Sequence, residues 1–449
     1  MRSRSLNVRF QGLAALGLAA GLVAVIAVLA LTLLDNDQSG AASTPTAIAL
    51  ITALPTANDG QTPLPGQTPA TTGSDVAQVT TAATPAATPI HDDEWGAVID
   101  TITDDKTAQM FRGSISRTAE YNGPAIIAKP DSAWSTDLGG ENYSVPVVEG
   151  GKVIVGGNDA TLKCLDIKTG EELWEAKARD DISSSPAVGS NRVFVGSFDG
   201  NFYAFDLDTG KRKWRFETSD AIHSSPAVDG SIVYFGGYDR VVYALAIEDG
   251  TLVWAGITGG KIESSPVLTG KLLIIGSDDG YVYAFDRLTG ARRWKFDTGG
   301  AVTSTPAVAG NKVFVASESG KIFALTVKDG KPAWDYDTGS SISFSSPAIA
   351  GGTLVVGSEA GTLFALGLDD GAEKWTFAAE AEIRASPMIV DGLVYVGSYD
   401  GSLYAIDLDS GKQSWSDDLG GPVGSPVFAD GVLYVSVNSG TLYALKPGG

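Results

Sequence analysis

The chain has 449 residues, 43% hydrophobic and 19% charged, enough apolar surface for a large core. Its formal net charge is −21, and because Arg2, Arg4 and Arg9 open the chain without an acid, the remainder is more acidic still. Such a body repels phosphate backbones, which excludes nucleic acid as a partner class. The single cysteine, Cys164, excludes an internal disulfide framework and a cysteine-based zinc cluster.

Residues 1–12 form a short basic N-terminus. From Leu13 to Leu34 the chain carries only apolar, small or hydroxyl residues and no charge, close to the roughly 20 residues that span a hydrocarbon core as a helix. A secretory signal has an apolar region of roughly 7–15 residues, so an uncleaved signal anchor is the favoured reading. The flanking arginines then hold the N-terminus in the cytoplasm and everything after Asp35 outside it. Cleavage near Gly40–Ala42, which would give a secreted protein, is the alternative. No cysteine lies beside the apolar run to carry a lipid anchor. Residues 35–90 are Thr, Ala, Pro and Gly with few large apolar side chains, a composition that cannot offset its own ordering entropy. They are expected to form a disordered stalk, about 40 Å end to end as a coil. Residues 91–130 look globular again, with a short helix expected over Asp93–Thr103 and a loop from Met110-Phe111-Arg112-Gly113 to Tyr121-Asn122-Gly123-Pro124.

From residue 131 to 449 the chain is periodic. Trp134, Trp174, Trp214, Trp254, Trp294, Trp334, Trp375 and Trp415 follow one another at spacings of 40, 40, 40, 40, 40, 41 and 40, the signature of a repeat architecture. Within one period, Ser224–Val228, Ile232–Gly236, Val241–Leu245 and Leu252–Trp254 read as strands. Asp229-Gly230, Asp239-Arg240 and Asp249-Gly250 separate them as tight turns. Four short strands in about 40 residues, repeated, are propeller blades. A strand proline recurs at Pro146, Pro186, Pro226, Pro266, Pro306, Pro347, Pro387 and Pro426, preceded by serine or threonine except at Val145. Eight copies predict an all-β, eight-bladed propeller of four-stranded antiparallel blades. The last copy lacks a tryptophan strand and the first tryptophan strand, Ala133 to Leu138, lacks a blade, so the N-terminal strand should complete the C-terminal blade and remove an open edge.

The period overlaps that of WD repeats, but those need recurrent Gly-His pairs, and this chain has only His91 and His223. Instead Tyr203-Ala204-Phe205-Asp206-Leu207-Asp208-Thr209-Gly210-Lys211-Arg212-Lys213-Trp214 resembles the tryptophan-docking motif of the PQQ-like propeller repeat. Similar stretches stand at Asp166–Trp174, Asp286–Trp294 and Asp407–Trp415, and the resemblance covers residues 110–449. It implies docking roles for the eight propeller tryptophans. It also implies kinship with two kinds of protein: quinoprotein dehydrogenases, which bind PQQ and calcium, and BamB-like assembly proteins, which are non-catalytic. The quinoprotein active site sets PQQ between a tryptophan floor and adjacent cysteines; here every propeller tryptophan holds a docking position and there is one thiol. The non-catalytic branch is therefore expected, with no cofactor.

Cys164 aligns with Ala204, Ala244, Ala284, Ala324, Ala365, Ala405 and Ala444, which reads as a small buried slot. Asp199, Asp239, Asp279 and Asp400 are single acids at hairpin turns, too few oxygens for calcium; Asp206, Asp286 and Asp407 belong to the docking motif. No catalytic or metal residue is assigned. One position escapes the repeat. Three residues before the strand proline stand Tyr143, Ser183, His223, Glu263, Thr303, Phe344, Arg384 and Val423. This position begins the innermost strand and should face a channel mouth, where Tyr143, His223, Glu263 and Arg384 form a candidate ring for a partner or polar ligand. His223 and Glu263 lie on adjacent blades, and the carboxylate should raise the histidine pKa. The competing reading is that a wet channel mouth tolerates any polar residue. The expected function is a membrane-anchored, extracytoplasmic protein-interaction scaffold in cell-envelope assembly or organisation, its partner another envelope or membrane protein. A ligand-binding or sensory propeller and a PQQ-dependent oxidoreductase are the alternatives.

Overall fold

The computed structural model describes residues 110–449. The basic N-terminus, the anchor helix, the stalk and the helix at Asp93–Thr103 lie outside the described residues. Among those described, no helix is long and apolar enough to cross a membrane.

Eight antiparallel four-stranded blades follow one another along the chain, the seventh extended by a short fifth strand, Glu120–Tyr121. The first is Val147–Glu149, Lys152–Gly156, Thr161–Asp166 and Glu172–Lys177, ordered from inner to outer strand. The second and third strands of each blade are almost wholly buried, whereas the outer strands alternate, as in Glu172–Lys177. The eighth blade takes Val427–Ala429, Val432–Val437 and Thr441–Lys446 from the C-terminus and Asp131–Asp137 from the N-terminal side, so the ring closes as expected.

The tryptophans explain how blades lock. Each outer strand carries a bulge beside its indole: Ala244 faces Trp254 and Leu245 faces Leu252, skipping Val253. A bulge re-aims the side chain, here toward the next blade. All eight indole Nε1–H groups donate to a backbone carbonyl at 2.7–3.2 Å; Trp134 reaches Ile167, and Trp415 reaches Ile126. The indole lies on the glycine of the neighbouring turn. Gly170 has φ +71°, and a Cβ there would meet Trp134 at 2.6 Å, so conformation and contact both demand glycine. Cys164 is fully buried opposite Trp174, as Ala244 is opposite Trp254, and burial pushes its thiol pKa up to about 12. It fills the small slot.

At the axis a second belt operates. Seven backbone N–H groups each donate to the hydroxyl of the next blade at 2.8–3.1 Å. The chain of bonds runs from Val145 N to Ser185, then through Ser225, Ser265, Thr305, Ser346 and Ser386 to Ser425. These are the residues before the recurrent prolines. Val145 has no hydroxyl, so the belt is open between the eighth blade and the first.

The segment read as a loop from Met110 to Pro124 is instead woven into the inner strands. The Ile115, Ser116, Thr118 and Ala119 carbonyls accept from Leu268, Val308, Ile349 and Ile389 N–H, and Glu120–Tyr121 pairs parallel with Met388–Val390. Two buried guanidiniums hold it. Arg112 donates to the Ser346 and Pro347 carbonyls, and Arg117 to those of Phe111, Pro226 and Pro266. Burial lowers both pKa values to about 9, so both remain charged at neutral pH. The physical reason for the difference is the inner-strand edge, whose N–H groups and proline carbonyls need partners.

Trp134→Ala removes the Ile167 bond and the contacts with Gly170 and Tyr434 at the closing strand. It is expected to cost about 3 kcal/mol, read as a lower urea midpoint; a loss under about 1 kcal/mol would show that closure does not depend on this dock.

Candidate functional site at the channel mouth

The innermost strands converge on one cavity of about 480 Å³. All eight residues of the repeat-breaking position line it, among them Tyr143, His223, Glu263 and Arg384, and Phe111 from the axial segment lines it too. The hydroxyl belt forms part of its wall through Ser185, Ser225, Ser265, Thr305, Ser346, Ser386 and Ser425.

Sequence reasoning missed a second ring. Two residues after the second strand in seven blades, and one after it in the eighth, stand Asn158, Phe198, Tyr238, Asp278, Glu318, Glu359, Tyr399 and Asn438. The residue on one blade meets the repeat-breaking residue 25 positions later on the next. Ser183 Oγ lies 3.1 Å from Asn158 Oδ1, Tyr238 OH donates to Glu263 Oε1 at 2.8 Å, and Arg384 reaches Glu359 Oε1 at 3.3 Å. Phe198 meets His223 edge-on with ring centroids 6.0 Å apart. The available signal was the absence of any consensus at the residue before the turn acids. Those acids are structural: Asp199, Asp239, Asp279 and Asp400 each accept the backbone N–H two residues on and a tyrosine hydroxyl from Tyr203, Tyr243, Tyr283 or Tyr404.

Two side-chain atoms near the mouth stand without hydrogen-bond partners. His223 Nδ1 and Asp278 Oδ1 are buried and accept or donate no hydrogen bond. Burial lowers the His223 pKa and outweighs the Glu263 charge, which acts in the opposite direction. The expected rise is therefore corrected: desolvation wins over the neighbouring carboxylate. Below its ordinary 6.5 the unfolded chain takes up a proton that the folded one resists, so His223 withdraws stability as pH falls. Asp278 works oppositely. Burial first, then Glu263 and Glu318, pushes its pKa from 3.8 to about 6. The folded state holds the extra proton in that window, so acidification relieves the repulsion and the ionised form destabilises above it. Burial, Glu359 and Glu263 likewise raise Glu318.

Phe344 is the one-residue insertion of the sixth blade. Its φ is +63°, unusual for a bulky side chain, and it is 38% exposed at the mouth. Its ring lies 6.0 Å from His223.

The model for the β-propeller of a beta-alanine-activating enzyme matches residues 151–349. BamB from Moraxella catarrhalis superposes with a TM-score of 0.61 and 18% identity, covering 71% of this chain and 99% of that one. The quinohemoprotein alcohol dehydrogenase of Comamonas testosteroni gives 0.69 and 15%, covering 77% and 81%. The computationally designed Ika8 protein gives 0.61 and 21%, covering 69% and 98%. The fold is the eight-bladed PQQ-like propeller. A search of the curated proteins by sequence finds no match. Proteins with and without cofactors share this fold, so the residues of the mouth decide what it could hold. No tryptophan lines this PQQ-like propeller's cavity, and Cys164 lies buried in the first blade. The charged residues lining the cavity are Asp181, Glu263 and Arg384, a net negative balance that repels a flat tricarboxylate such as PQQ. The residues present do not fit that cofactor.

Asp278→Asn is expected to raise the melting temperature by roughly 1–2 °C at pH 7.5, most of it lost by pH 4. Scanning calorimetry at both pH values reads this; a destabilised variant would mean that Asp278 makes a structural bond.

Proposed function

We propose that this chain is a non-catalytic recognition propeller, a protein-interaction scaffold of the cell envelope held at the membrane by residues 13–34. The observation that carries the reading is a separation of roles. The recurring residues are committed to docking, turns and the axial belt, while the residues that depart from the repeat gather around one cavity. The likeness to BamB supports a propeller that works without chemistry of its own. The uncharged run Leu13–Leu34 and the three preceding arginines support a plasma-membrane tether with the propeller outside. A small-ligand or sensory role is the second reading, favoured by the cavity's depth down to Phe111.

Crosslinking of intact membranes tests this, comparing wild type with a folded variant carrying His223→Ser, Glu263→Ser and Arg384→Ser. A specific protein captured by wild type and lost in the variant is the expected result. The same capture by both would move the interface to another face, and no capture by either would leave the ligand-binding reading ahead. Alkaline carbonate should leave the protein with the membrane fraction; release would overturn the anchor.

A further inference from the structure

The mouth has a chemistry of its own. Glu263 and Asp278 stand on the fourth blade, Glu318 on the fifth and Glu359 on the sixth, so four carboxylates crowd one side. Burial lifts both the Asp278 and the Glu318 pKa, with Glu263 and Glu318 adding to the first and Glu359 and Glu263 to the second. The cations nearby are already engaged. Arg384 contacts Glu359 at 3.3 Å and Glu382 at 2.7 Å and covers the Tyr399 ring at 5.5 Å. Lys261 Nζ lies 4.7 Å over the Tyr238 ring. These two contacts show how the wall treats a positive charge: an aromatic face below it and, for Arg384, carboxylates beside it.

A fold gains nothing from such an arrangement. Asp278 Oδ1 and His223 Nδ1 are buried without partners, and Phe344 is held in a left-handed conformation where glycine would sit without strain. His223 and Phe344 both line one cavity of about 480 Å³, within the range of pockets that enclose a small group, and Asp278 lies behind it as a charged neighbour of the lining residue Glu263.

We infer that this cavity binds a cationic group on a slim aliphatic stem, an ammonium or guanidinium, presented as a lysine or arginine side chain on a loop of the partner protein. The inference rests on the scaffold reading above. The ammonium enters beside Glu263, which lines the cavity and has Asp278 and Glu318 as charged neighbours, its stem lies against Phe344 and Phe198, and His223 Nδ1 accepts a hydrogen bond from it. His223 is neutral near neutral pH and can therefore accept. The chain's net charge of −21 draws such a partner in. A free diamine offers the same chemistry, and the experiment separates the two sources.

The full chain in detergent provides its own reporter, because His223 and His91 are its only histidines and His91→Gln leaves one imidazole signal. Three probes are titrated against it by NMR: the capped peptide Gly-Ser-Lys-Lys-Ser-Gly, 1,5-diaminopentane, and glutarate as a charge-reversed control. The peptide should move the His223 signal saturably and glutarate should not. The double variant Glu263→Gln and Asp278→Asn should weaken the peptide at least ten-fold. The amide oxygen that Glu263→Gln introduces can still accept from Tyr238, so an unchanged or raised melting temperature confirms that the variant is folded. Movement by the diamine alone would overturn the partner loop as the source. Equal binding of glutarate, no response to either cation, or an unaffected double variant would overturn the cationic site. Membrane capture without cation binding sinks this inference alone, and cation binding without capture sinks the scaffold reading alone.

Discussion

The hydroxyl belt at the axis is the constraint on which the rest depends. Each inner strand begins beside a proline, which has no N–H to give, so the preceding residue must both find an acceptor for its own N–H and supply one. Serine or threonine does both, receiving a backbone N–H from the previous blade while its own N–H passes to the next. The serine before it in several blades closes a local loop, as Ser224 Oγ accepts from Gly236 N at 3.1 Å. With two successive positions fixed in this way, the third has no structural duty. That is why the residue three before the proline is free to vary, and why it lines the cavity.

At the rim the tryptophan dock does the complementary task. The bulge turns the indole across the blade boundary, the neighbouring glycine makes room, and the Nε1–H finds a carbonyl. The belt and the docks differ in one respect at the seam between the eighth blade and the first. Val145 breaks the belt there, whereas the dock remains in place through Trp134, which reaches Ile167 of the first blade. Closure therefore leans on the outer rim and on the covalent crossing of Asp131–Asp137 into the last blade. Two-ended stacking of this kind makes each blade's stability a matter of its neighbours.

Fold and closure were legible in the sequence because one indole every 40 residues is a long-range signal that survives without coordinates. The position of the first ring was legible for the same reason: register carries over from blade to blade. Its partners were not, because the contact between residues 25 apart crosses a blade boundary, as with Tyr238 and Glu263. No local pattern announces such a pair. The axial path of Phe111–Tyr121 was hidden too, since Arg112 and Arg117 look like surface residues until their carbonyl partners are known. The direction of the His223 pKa turned on burial, a quantity that the identity of a neighbouring glutamate does not reveal.

Two sets of buried polar groups in this molecule make the contrast that matters for function. The Arg112 and Arg117 guanidiniums are enclosed without carboxylates, yet proline, serine and phenylalanine carbonyls accept from them, so the burial is compensated and the result is architecture. Asp278 and His223 are enclosed at the mouth with atoms that nothing satisfies. The repeat could have placed serine at the His223 position, as Ser183 shows at the second blade, where the side chain simply meets Asn158. The axial guanidiniums are met within the fold while the mouth keeps buried unmet atoms beside its cavity, and this asymmetry is what the proposed recognition of a partner's cation rests on.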